Sequence, residues 1–95
     1  MKKYIETTKK KIVPILKQYD VSHAGIFGSY ARGDHKKNSD IDIVVQFRGS
    51  KSLFDLARLE MKLEKILRRR IDLLTYNSLN YLIKERILKE EITIL

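Results

Sequence analysis

The stretch Ser39-Asp40-Ile41-Asp42-Ile43-Val44-Val45 restricts the fold more than any other part of the chain. Ile41, Ile43 and Val45 fall on one face, and Asp40 and Asp42 fall on the other. That two-residue period belongs to a strand with one face against a core. A strand needs neighbours, and two further runs can supply them. Val21 to Phe27 is a short apolar run that ends in the turn residues Gly28-Ser29, and Ile71 to Thr75 is a third strand.

Helical periodicity fills the intervals. Tyr4, Ile5, Ile12, Val13, Leu16 and Tyr19 recur at three- and four-residue spacing among lysines. Pro14 interrupts this segment, so either the regular helix begins near Pro14 or a longer one kinks there. Ser52 to Leu67 reads as a second long helix behind a Ser start, and Leu79 to Leu88 as a last one. Ile92 to Leu95 adds a short edge strand. The expected class is α/β, with the order α-β-(short α)-β-α-β-α. A length of 95 residues with 43% hydrophobic content suits one domain over residues 1–95.

Composition removes several chemistries. With no cysteine, thiolate metal sites, disulfides and a cysteine nucleophile are excluded. The charged start MKKYIETTKKK lacks the apolar core of a signal peptide, and no long apolar run follows, so a cytoplasmic protein with no membrane partner is expected. The net charge of +8 is uneven: residues 1–19 carry +5 and residues 51–70 carry +4. Solvated helix faces account for most of it, although a basic exterior also suits anionic partners.

The centre of the chain holds the reactive groups. Phe27-Gly28-Ser29-Tyr30-Ala31-Arg32 leaves a strand and starts a helical turn, which directs backbone N–H groups outward where a phosphate can sit. Gly28 allows close approach, the Ser29 hydroxyl can donate to a phosphate oxygen, and Arg32 lies one turn on. Asp40 and Asp42, two apart on a strand with α-carbons about 7 Å apart, can converge on a cation. Oxygen ligands without His or Cys favour magnesium or manganese over zinc. Gly-Ser, ten residues, then Asp-x-Asp fixes four positions, a set that chance yields about once per 50,000 start points.

The stretch GSYARGDHKKNSDIDIVV resembles the signature of the DNA polymerase β-like nucleotidyltransferase superfamily. Its length and the Ala-Arg-Gly-Asp continuation are similar to the minimal nucleotidyltransferases of bacteria and archaea, a group that includes the MntA antitoxins. The resemblance implies a nucleotidyltransferase fold, a mixed sheet with helices packed on one side. It also implies a third carboxylate on the strand after the second long helix, where Asp72 stands between Ile71 and Leu73. An unpartnered aspartate buried there would be costly and would call for a cation or a hydrogen-bonded partner. Two magnesium ions are implied: one on Asp40 and Asp42 with the triphosphate, and a second, held with Asp72, that activates the acceptor hydroxyl.

Within the antitoxin branch the resemblance implies AMP transfer from ATP to a tyrosine of a HEPN ribonuclease toxin. A catalytically silent module that neutralises the toxin by stoichiometric contact is the rival reading. Homo-oligomers fit either. His23 and His35 lack a partner at ligand spacing, and Arg68, Arg69 and Arg70 are explained as charges at a helix end. Tyr4, Tyr19, Tyr30, Tyr76 and Tyr81 are scattered, which argues against a single-strand nucleic-acid platform.

Overall fold

Periodicity and burial coincide along the first helix of the computed structural model, which describes residues 2–95. Helix α1 (Lys3–Gln18) buries Ile5, Ile12, Ile15 and Leu16 and turns most of its lysines outward. It runs unbroken through Pro14, so the regular segment starts eleven residues before the proline. Pro14 has no N–H for the carbonyl one turn back. Pro14 and Lys10, which owns that carbonyl, both lie on the exposed face, where solvent can serve it.

Next come β1 (Val21–Phe27), the short α2 (Gly28–Arg32), β2 (Ile41–Phe47), α3 (Leu53–Leu67) and β3 (Ile71–Thr75). A 3-10 turn (Tyr76–Ser78), α4 (Tyr81–Glu90) and β4 (Ile92–Thr93) complete the described chain. The sheet order is β3-β2-β1-β4. Strand β1 pairs antiparallel with both β2 and β4, while β2 and β3 run parallel. A parallel pair needs a long crossover, and α3 provides it. The sheet is therefore mixed, as the resemblance implies.

Helices α1 and α3 cover one face. Ile5, Ile12, Leu16, Leu59 and Leu63 are fully buried there with Ala24, Ile26, Ile43 and Val45 from the strands. These two helices hold the expected side, whereas α4 reaches the other face, where its Ile87 meets Val44 and Tyr76. The Tyr76 hydroxyl donates to the Glu91 carboxylate at 2.6 Å, which ties the end of α4 to the turn after β3. Burial, then that carboxylate, raises the Tyr76 pKa far above its ordinary value and keeps it neutral. Helix α3 opens on a reciprocal cap: Ser52 Oγ accepts from the Asp55 N–H at 3.3 Å and Asp55 accepts from the Ser52 N–H at 2.9 Å. No helix among the described residues is long and apolar enough to cross a membrane.

Burial separates core from surface on α3 alone. Leu63→Ala is expected to cost about 3 kcal/mol in urea unfolding. Met61→Ala, at a position 68% exposed, should stay within about 0.5 kcal/mol of the parent.

Candidate active site

Where β1 leaves the core at Phe27, the chain turns at once into α2. Gly28 makes that turn with φ at +71°, in the region that favours glycine. A Cβ at Gly28 would collide with the Asp42 carboxylate. The antiparallel ladder sets Phe27 opposite Asp42, so the Gly28-Ser29 turn and the acid on β2 are neighbours.

Parallel pairing then sets Asp42 opposite Asp72 on β3. Adjacent strands lie roughly 4.8 Å apart, so two like charges share one patch of sheet. The Asp42 pKa is pushed up to about 6. Burial is the largest cause, followed by the charges of Asp72 and Asp40 and a hydrogen bond shared with Asp72, while the Arg32 charge pulls the other way.

Asp72 itself is exposed. Strand alternation turns Ile71 and Leu73 into the core and Asp72 out of the opposite face, so apolar neighbours in sequence do not bury it. The burial cost expected for Asp72 falls on Asp42 instead.

Asp40 lies just outside the ladder, because β2 begins at Ile41 rather than Ser39 and extends to Phe47. A turn closed by the Ser39 N–H on the Lys36 carbonyl at 3.0 Å holds Ser39 out of the sheet. The Asp40 carboxylate faces Arg70 at 3.8 Å. Thus the structure brings Asp42, Asp72 and Gly28 together and leaves Asp40 beside them, turned to a cation of the chain. Among the described residues no three His, Asp or Glu side chains converge into a ready cage for a metal ion. The donor chemistry still fits a hard divalent cation: the acids offer only oxygen, and burial together with their mutual repulsion raises the proton affinity of Asp42.

Arg32 ends α2 and sits between Asp34 at 3.2 Å and Glu90 at 3.5 Å. Such surface pairs contribute less than about 1 kcal/mol, so the guanidinium can exchange them for a phosphate. Glu90 escaped the sequence reading, since only the fold brings α4 to α2. So did Arg69. Arg68 ends α3 in a left-handed conformation, but Arg69 does something other than complement a helix end. Its Nη2 donates to the Ser39 carbonyl at 2.6 Å and the Lys36 carbonyl at 3.3 Å. No local pattern announces a contact across 30 residues. His35 packs its ring against Tyr4 and Tyr30, and His23 lies 3.8 Å from Glu91.

A Gly-Ser turn set against carboxylates on two parallel strands of a mixed sheet defines the nucleotidyltransferase class. Residues 10–95 match the family described as Polymerase beta, Nucleotidyltransferase, and the chain belongs to that family. It is 52% identical, over 96% of its length and 98% of the relative, to a Methanocaldococcus jannaschii protein named as a candidate protein adenylyltransferase. It is 40% identical to the protein adenylyltransferase MntA of Thermococcus cleftensis, over 90% of this chain and 85% of that one. A chain from the crystal structure of a toxin-antitoxin with AMP-PNP superposes with a TM-score of 0.83 at 25% identity, covering 92% of this chain and 72% of that chain.

The raised Asp42 pKa has a thermodynamic sign. Between the unfolded value of 3.8 and the folded value of about 6, the folded protein binds more protons, so stability falls as pH rises through that window. Asp42→Asn should therefore raise the melting temperature of metal-free protein by a few degrees at pH 8. That gain should vanish at pH 3.5, as differential scanning fluorimetry across pH would read.

Proposed function

We propose that the chain transfers AMP from ATP to a hydroxyl of a partner protein, a tyrosine of a HEPN-type ribonuclease toxin, and acts in the cytoplasm as its antitoxin. The observation that carries the reading is the register that pairs Asp42 with Asp72 while Gly28 opens the turn beside them. Similarity to relatives named protein adenylyltransferase supports a protein acceptor. A similar chain from a toxin-antitoxin structure with AMP-PNP supports ATP as donor and a toxin as partner.

In this mechanism the Gly28 and Ser29 backbone and the Ser29 hydroxyl orient the triphosphate, and Arg32 leaves its surface acids for a phosphate oxygen. Asp40, Asp42 and Asp72 would hold magnesium, or manganese in its place. When bound, two such ions offset the charge of the triphosphate and lower the pKa of the attacking hydroxyl. The acceptor oxygen forms a bond to the α-phosphorus as the bond to the bridging oxygen breaks. Pyrophosphate departs, and the hydroxyl proton passes to solvent. No nucleophile of this chain takes part.

Calorimetry with AMP-PNP and magnesium should show binding by the parent and none by Asp40→Asn/Asp42→Asn. Gly28→Val should also lose binding, because its side chain would strain the turn and displace the Asp42 carboxylate. Equal binding by all three proteins would remove the site assignment.

Catalysis is separable from stoichiometric contact. With magnesium, ATP and a tenfold excess of partner over this protein, intact mass spectrometry should show the partner gaining mass in steps of one AMP. Asp72→Asn should stop the gain even where ATP still binds. Neutralisation only at equal amounts, without added mass, would favour a silent binding module.

A further inference from the structure

We infer that Arg69 is a positioning residue that locks the Gly28-Ser29 turn to the Asp40–Asp42 strand start, an inference that rests on the site reading above. Residues 28–40 begin with that turn and end at the first acid, so the distance between triphosphate and carboxylates depends on how this loop is held. Arg69 grips it at both ends.

At the acidic end, Arg69 Nη2 donates to the Ser39 carbonyl at 2.6 Å and to the Lys36 carbonyl at 3.3 Å. Ser39 is the residue before Asp40. At the other end, the guanidinium lies over the ring of Tyr30 at 5.3 Å from its centroid, and Tyr30 is the residue after Ser29. Tyr30 is itself immobilised: its carbonyl accepts from the Tyr4 hydroxyl at 2.7 Å, and its own hydroxyl is 2.9 Å from Thr8 Oγ1. The Tyr30 ring also meets Tyr4 edge-on at 4.9 Å and His35 at 4.5 Å. The aromatic face is therefore anchored to α1, and Arg69 transmits that anchorage to Ser39.

Arginine is specifically required. A planar guanidinium can stack on a ring and direct an in-plane N–H at a carbonyl in the same pose, whereas an ammonium cannot do both. Arg69 Nε is buried and has no hydrogen-bond partner among the described residues, and the hydrogen bonds to the loop run through Nη2. Preservation of charge should then not preserve function.

The test compares Arg69→Lys, Arg69→Ala and, as control, Lys65→Ala on the exposed side of α3, by Mn2+ titration and by hydrogen–deuterium exchange. Both Arg69 variants should weaken Mn2+ binding about tenfold. They should also speed exchange in peptides covering residues 34–42 while α1 and β1 stay protected, and the control should match the parent. Arg69→Lys with parental Mn2+ affinity and protection would overturn the inference, as would faster exchange spread evenly over α1 and β1. Should Arg69→Ala fail to fold, Arg69→Lys decides. Parent protein that binds neither Mn2+ nor AMP-PNP would defeat the functional reading instead, and the exchange pattern would still judge the loop contact.

Discussion

Two carboxylates of the same charge stand opposite one another where β2 and β3 run parallel, and the fold must supply what keeps them there. The opposite face of the same two strands does so. Ile41, Ile43, Ile71 and Leu73 alternate with the acids and are buried beneath α1 and α3. Each fully buried branched side chain stabilises by roughly 1.5–3 kcal/mol, so a few of them outweigh the repulsion between partly solvated acids. A one-residue slip of either strand would bury the acids and expose the isoleucines, so hydrophobic burial enforces the register that sets the acids side by side.

Legibility in the sequence followed the range of the interaction. The alternation of Asp40 to Val45 and the three- and four-residue spacings of the helices are local, and the strand and helix types they predict are observed. The start of β2 was misplaced by two residues because the turn at Lys36 to Ser39 withdraws Ser39 from the ladder, a contact the alternation does not encode. Pro14 was ambiguous for a similar reason: tertiary packing of Ile12, Ile15 and Leu16 overrides the local cost of a proline.

The site was legible in its residue types and less so in their states. Gly28 and Asp42 meet through strand pairing, as their spacing implies, and Asp72 joins them where the family resemblance implies a third carboxylate. That Asp42 carries the burial, and that Asp40 turns toward Arg70, depend on which side of the ladder each residue occupies. Glu90 left no local signal, and Arg69 reads in sequence only as a charge at a helix end. Each reaches its partner across a long loop of sequence, and each contributes a charge of a kind common on any basic surface.

Sheets end somewhere, and this one ends at β3. A terminal strand presents a row of unpaired N–H and C=O groups that another chain could extend, and natural sheets deter such growth with charge. Asp72 is an exposed charge at the second position of that five-residue strand, and Arg70 stands just before the strand begins. The carboxylate assigned to chemistry thus also guards an open edge. Amide replacement at Asp72 removes that guard, so the variant has an edge more prone to self-association than its parent.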